Sequence, residues 1–186
     1  ITLNKLVFSR TAPLRNWIHS HSALSRKLER PGDPLAELPM STDEKFLSGQ
    51  VVLVGYGNVG KRVASMLTDK GIPFVVAEQN REIVERLRAR GFAAVSGNAA
   101  DPAVLIQAHI ARASMLIASA SNAFEIRHMV DTAKTLNPDI EIIARGLSRE
   151  EADLLTQENL GKIFLDEDEL AKGISTHILR RFGKSA

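Results

Sequence analysis

The stretch VVLVGYGNVGKRVASML, residues 51–67, constrains this chain more than any other. A short apolar run leads into three glycines spaced G-x-G-x-x-G, at Gly55, Gly57 and Gly60, and an amphipathic helical pattern follows at once. The first glycine permits a tight turn, the second lets main chain approach a phosphate, and the third lets the helix pack close to the strand. The helix opening there presents unpaired N–H groups and its positive dipole end around Gly57, Asn58 and Val59, which suits an anion. The spacing alone is a weak signal. Its place between a strand and a helix gives it weight over the alternative, a glycine turn that holds nothing.

Downstream, short apolar runs alternate with helical stretches. The runs at 51–55, 74–78, 93–97, 115–119, 140–145 and 163–165 read as buried parallel strands. Between them, a helix over 59–69 ends before Gly71-Ile72-Pro73, and one over 81–90 carries Arg81/Glu85 and Glu82/Arg86 spacings and stops at Gly91. Asp101-Pro102 is a cap and first turn for a short helix reaching about His109. A helix over 122–136 buries Ile126, Met129, Val130 and Ala133 and ends before Pro138. Ser148-x-x-Glu151 is a capping box for the next helix, which closes at Gly161. Asp166-x-x-Glu169 repeats that logic at the last helix, whose Leu170, Ile174 and Ile178 share one face. Six strands alternating with helices through right-handed crossovers predict an α/β fold: a Rossmann-like doubly wound six-stranded parallel sheet of order 3-2-1-4-5-6.

The chain has 186 residues, enough for one substantial core and too few for two ordinary domains. It has no cysteine, so disulfide and thiolate chemistry are excluded. No apolar run approaches the roughly 18 residues of a membrane-spanning helix. The chain opens with Ile rather than Met, so a longer parent protein is expected. Of 24 basic and 22 acidic residues, residues 1–31 hold six basic groups against Glu29 alone. The remainder is therefore mildly acidic, which argues against nucleic acid as a partner. Residues 1–31 mix that charge with Leu14, Trp17 and Ile18 at helical spacing. The mixture fits a segment just cytoplasmic of a membrane span, or equally a solvated or partner-packed helix. Residues 31–45, PGDPLAELPMSTDEK, read as a linker. The expected division is a basic segment and linker over 1–47 and the nucleotide-binding domain over 48–186.

Several residues flank the glycine loop in such a fold. Glu78 ends the second strand, placed to accept hydrogen bonds from ribose hydroxyls and to repel a 2′-phosphate. This favours AMP, ADP or NAD(H) over NADP. Gln79 follows it. Arg81 reads as an adenine or phosphate contact and equally as a surface partner of Glu85. Gly97-Asn98-Ala99 ends the third strand at the adenine position, where Asn98 offers a donor and an acceptor to a base or simply makes a turn. Ser119-Ala120 ends the fourth strand beside the cleft, its hydroxyl open to helix capping or ligand contact. Arg145 suits a structural ion pair or a ligand or partner contact equally.

Gly55-Tyr56-Gly57-Asn58-Val59-Gly60, Glu78, Ser96-Gly97-Asn98-Ala99 and the run 137–145, NPDIEIIAR, together resemble a known family. It is the RCK or TrkA-N regulatory nucleotide-binding domain, in the version fused behind the membrane domain of Kef-type and YbaL-like monovalent cation:proton antiporters. The resemblance spans about residues 48–182. It implies a sensor of AMP or NAD(H), homodimeric at the cytoplasmic membrane face, that controls ion flux through its own antiporter membrane domain. It also implies that the helix at about 167–182 is a dimerisation helix. Asn98 stands where many members have Asp.

A dehydrogenase needs an acid–base group beside its nicotinamide. The single tyrosine, Tyr56, lies in the phosphate loop, while His109, His128 and His177 fall on expected helices. No metal-ligand spacing appears. The expectation is therefore a non-enzymatic sensor, with a small NAD-dependent oxidoreductase and a nucleotide-independent dimerisation module as alternatives.

Overall fold

The computed structural model describes residues 33–39, 42–119 and 122–184. The basic segment read at 1–31 and the candidate Ala120 lie outside them.

Six strands form one parallel sheet: β1 (Val51–Val54), β2 (Phe74–Glu78), β3 (Ala94–Ser96), β4 (Met115–Ala118), β5 (Glu141–Gly146) and β6 (Lys162–Leu165). Their order is β3-β2-β1-β4-β5-β6, as the alternation predicts. Register places Val51 beside Phe74 on one side and Met115 on the other. Among the described residues the α-helices are α1 (Asn58–Asp69), α2 (Arg81–Ala89), α3 (Pro102–Gln107), α4 (Ala123–Leu136), α5 (Arg149–Gln157) and α6 (Asp166–Arg181).

The sheet divides the core in two. On one face, Val51, Leu53, Phe74, Val76 and Ala94 pack under Ala64 and Leu67 of α1 and Val84 and Leu87 of α2. On the other, Val52, Val75, Val95, Leu116 and Ile142 pack under α3, α4 and α5 through Leu105, Ile126, Met129 and Leu155. Because right-handed crossovers send α1 and α2 to one side and α3, α4 and α5 to the other, the C-terminal strand ends meet the glycine loop beside the β1–β4 junction.

Residues 35–39 and 42–47, part of the expected linker region, lie on the domain. Leu35 packs against the α1–α2 side of the core, and Leu38 and Phe46 against the other. Ser96 N–H on the β3 edge donates to Leu35 O at 2.7 Å. The Arg88 guanidinium donates to Ala94 O at 2.9 Å, to Leu35 O at 3.1 Å and to Glu37 O. The segment thus covers an edge strand that would otherwise present unpaired main chain.

Three local expectations change. α6 starts at Asp166, with Leu165 before it and no side-chain cap, because the Asp166 carboxylate is drawn to Arg145. α5 closes at Gln157, with Asn159 rather than Gly161 taking the left-handed position (φ 53°) that ends the helix. His109 is left-handed too (φ 58°) and joins α3 to the short 3-10 turn Ile110–Arg112.

Candidate functional site

The loop after β1 is shaped by its glycines. Gly55 has φ 86°. Gly57 is the N-cap of α1, in extended conformation, and Lys61 N–H donates to its carbonyl at 2.9 Å. A Cβ on Gly60 would stand 2.1 Å from Gly55 O, so only glycine allows this approach of helix to strand. A Cβ on Gly57 would meet nothing within 4 Å, so the space before the helix end is open.

That helix end differs from the others. Asn80, Asp101, Asn122 and Ser148 cap α2, α3, α4 and α5 with side-chain oxygens, and α6 has four acidic residues in its first turn. Among the six described α-helices, α1 alone has neither a side-chain cap nor an acid in its first turn. Its leading N–H groups and positive dipole end face open space.

Glu78 stands beside this loop, half-buried at the end of β2. Its Oε2 accepts from Tyr56 N–H at 2.7 Å and its Oε1 from Asn80 N–H at 2.9 Å. The carboxylate therefore ties β2 to the glycine loop, and each oxygen keeps capacity for a second hydrogen bond. Gln79 and Arg81 are exposed on either side of the α2 cap. Gly97 N–H donates to Glu78 O at 3.0 Å, joining the third strand end to the second. Gly97 has φ 148°, and a Cβ there would lie 2.5 Å from Val104 Cγ2.

Asn98 is exposed and makes the turn: its Oδ1 accepts from Ala100 N–H at 2.9 Å. Its Nδ2 donates to Glu125 Oε1 at 3.4 Å. Ala99 is buried in the core and contributes shape, not a polar group. Ser119 is buried, and its hydroxyl faces Val54 O at 2.9 Å and Gly55 O at 3.0 Å. The hydroxyl holds β4 to the loop. The cap of α4 comes from Asn122, whose Oδ1 accepts from Glu125 N–H at 3.0 Å.

Arg145 forms the structural ion pair. Its Nε and Nη2 donate to the two oxygens of Asp166 at 2.8 and 2.6 Å. That hydrogen bonding holds the Asp166 carboxyl below the usual carboxylate range and raises the Arg145 guanidinium. Arg149 and Asp168 pair alongside at 2.5 Å.

Sequence reasoning missed Glu125 and the reach of Glu151. The serine half of the capping box forms, with Glu151 N–H donating to Ser148 Oγ at 3.2 Å. Yet the Glu151 carboxylate accepts from Leu147 N–H at 2.8 Å and from Ala123 N–H at the start of α4, a contact 28 residues away. Only the Ser-x-x-Glu spacing hinted at it.

An apolar groove of about 690 Å3 runs along the sheet face between α1 and α6. Val59, Val63 and Met66 of α1 form one wall, and Ile117, Ile143 and Phe164 the floor. Leu170, Ile174, Ile178 and Phe182 then form an exposed stripe along α6 and past its end. His128 is stacked edge-on to Phe124 at 4.5 Å, and His177 sits on α6. Among the described residues, no three His, Asp or Glu side chains are grouped to hold a metal ion, and no helix is long and apolar enough to cross a membrane.

Three comparisons bear on this geometry. YbaL of Escherichia coli strain K12, whose name describes a cation/proton antiporter, is 34% identical over 173 residues. That match covers 92% of this chain and 30% of the relative, so the chain spans under a third of the relative's length. The crystal structure of the TrkA-N domain of the E. coli inner membrane protein YbaL superposes with a TM-score of 0.64 at 38% identity, covering 68% of this chain and 94% of that one. A structure of the GsuK channel bound to NAD follows at 25% identity and a TM-score of 0.57, covering 81% of this chain and 25% of that one. The TrkA-N domain family itself matches residues 51–165, from the first residue of β1 to the last of β6. The chain belongs to the TrkA-N domain family.

Proposed function

We propose that this chain is the regulatory part of a monovalent cation:proton antiporter, where it binds an adenine nucleotide, AMP or NAD(H), and biases transport through a membrane domain of the same protein. The observation that carries this reading is the N-terminus of α1, uncapped and open beside a half-buried carboxylate. A phosphate is seated on the N–H groups of Gly57, Asn58 and Val59. Ribose hydroxyls donate to Glu78, whose charge opposes a 2′-phosphate. The turn Gly97-Asn98-Ala99 borders the base, with Gln79 and Arg81 at its rim and Ser119 below the phosphates. The Glu78 carboxylate is engaged by the Tyr56 and Asn80 N–H groups and by the ribose, so in this reading the bound nucleotide reports and is not turned over.

The antiporter relative supports the transport role and the NAD-bound channel supports the ligand class. The domain acts from the cytoplasmic membrane face as a homodimer, the apolar groove and the α6 stripe forming the contact with the second copy. α1 links ligand to partner: its N-terminus meets the phosphate while Val59, Val63 and Met66 wall the groove. A nucleotide can bias transport only by its affinity difference between two dimer arrangements.

Calorimetric titration with AMP, ATP, NAD, NADH and NADPH tests the reading. AMP or NADH should bind, NADPH should not, and Glu78→Ala should weaken binding about tenfold or more. Silence from every nucleotide would sink it and leave a dimerisation module. Oxidation of NADH by a carbonyl substrate would favour an oxidoreductase instead.

A further inference from the structure

The groove between α1 and α2, on the outer side of the glycine loop, carries a charge cluster that the nucleotide reading does not use. It encloses about 240 Å3 and is lined by Tyr56, Lys61, Ile83, Arg86, Leu87 and Arg90. Ile83 and Leu87 belong to the α1–α2 side of the core and form an apolar floor. Above it, Lys61 of α1 stands across from Arg86 and Arg90, which are one turn apart on the α2 side.

These cations are weakly engaged. The Lys61 ammonium has no hydrogen bond or ion pair among the described residues. Arg90 lies over the Phe92 ring at 5.4 Å, a contact to the ring face that uses no N–H donor. Arg86 has Glu82 at 3.7 Å, with side chains 66% and 81% exposed, and such a pair is worth little. From residue 32 onward the chain holds more acid than base, so three cations around one small cavity are not a sample of a basic surface. Two guanidinium forks and an ammonium match the oxygens of a phosphate.

We propose that this groove is a phosphate-binding subsite, separate from the main-chain cradle at the start of α1. Tyr56 adjoins both places, since its N–H donates to Glu78 while its side chain lines the groove. The phosphate comes from one of two sources. It is an additional phosphate of the nucleotide on the loop, in which case the inference rests on the nucleotide reading, or it belongs to a separate phosphorylated small molecule bound alongside.

The test is calorimetric titration of the 186-residue chain with pyrophosphate at fixed ionic strength, with and without saturating AMP. The same titrations are made on the double variant Lys61→Gln/Arg90→Gln and on Arg62→Gln, a control on α1 outside the groove. Both substitutions fall on exposed side chains, and matching melting curves establish that the variants fold. Pyrophosphate should bind the wild type with AMP present and bind the double variant about tenfold more weakly, with the control unchanged. Equal affinity in wild type and double variant, or no binding to the wild type up to about 10 mM, overturns the subsite. If the double variant loses affinity for ATP but not for AMP or NADH, the occupant is the nucleotide's own phosphate. If all three are unaffected while pyrophosphate binding falls, the occupant is a separate molecule. A flat AMP titration in every chain would remove the nucleotide reading and leave the pyrophosphate comparison standing.

Discussion

The half of the sheet built from β1, β2 and β3 is sealed on both faces, while the half built from β4, β5 and β6 is sealed on one. Every residue of the first three strands is buried except the terminal Glu78. In β4 and β5, burial alternates: Leu116, Ala118, Ile142 and Ala144 are covered, and Met115, Ile117, Ile143 and Arg145 are not fully so. The sequences do not announce this difference, since MLIA is as apolar as FVVA. An apolar run in a parallel sheet shows that a strand is interior, not that its own chain covers both faces. The sealed half carries the glycine loop at the end of β1. The half-open one keeps an apolar face available beside α6.

The contrast can be broken most directly by truncation. Leu53 is fully buried in the sealed half, and Leu53→Ala should cost about 2–5 kcal/mol in urea denaturation. Ile143 lies on the open face, and Ile143→Ala should cost about 1 kcal/mol or less in dilute protein. A cost for Ile143→Ala that grows with protein concentration would show that a second copy covers this face. Equal costs at high dilution would erase the distinction between the halves.

Within the sealed half, two glycines sharpen the comparison. Gly60→Ala forces a methyl against Gly55 O and should cost about 1–3 kcal/mol. Gly57→Ala meets open space, so its melting curve should stay near wild type while nucleotide affinity falls about tenfold or more. Matching thermal curves for the two variants would contradict the packing described for Gly60.

The smallest effect is electrostatic. Hydrogen bonding to Arg145 lowers the Asp166 carboxyl, and hydrogen bonding to Arg127 lowers that of Glu158. A carboxyl lowered on folding adds stability above the usual carboxylate range and loses it as pH falls through the folded value. Stability should therefore decline on acidification below that range, and Asp166→Asn should remove part of the decline. Because the Asp166 side chain is 58% exposed, that part is below about 1 kcal/mol. Parallel urea midpoints for wild type and variant from neutral to acid pH would show that the pair adds nothing.

What could be read from the sequence was local or periodic. The strands, their order and the glycine loop follow from apolar runs, helical spacing and turn residues, each fixed by a few neighbouring residues. What escaped depends on partners far along the chain. Asp166-x-x-Glu169 has the spacing of a cap, but Arg145, 21 residues earlier, takes the carboxylate. Ser119 ends a strand like any capping serine, but its hydroxyl meets carbonyls 64 and 65 residues away. Leu35, Leu38 and Phe46 lie in a proline-rich, acidic stretch whose composition says linker, and only the folded core shows where they go.

The clamp formed by Arg88 also has a mechanical side. The chain reaching Leu35 is fastened by Ser96 N–H and by a guanidinium that also grips Ala94 O, all near the C-terminal tip of β3. The next residue, Gly97, is bonded to the Glu78 carbonyl, and the Glu78 carboxylate to Tyr56. A pull on Leu35 is therefore shared among several hydrogen bonds rather than borne by one. It reaches the strand tips beside the glycine loop through the short hydrogen-bonded path from Leu35 by way of Ser96 and Gly97 to Glu78.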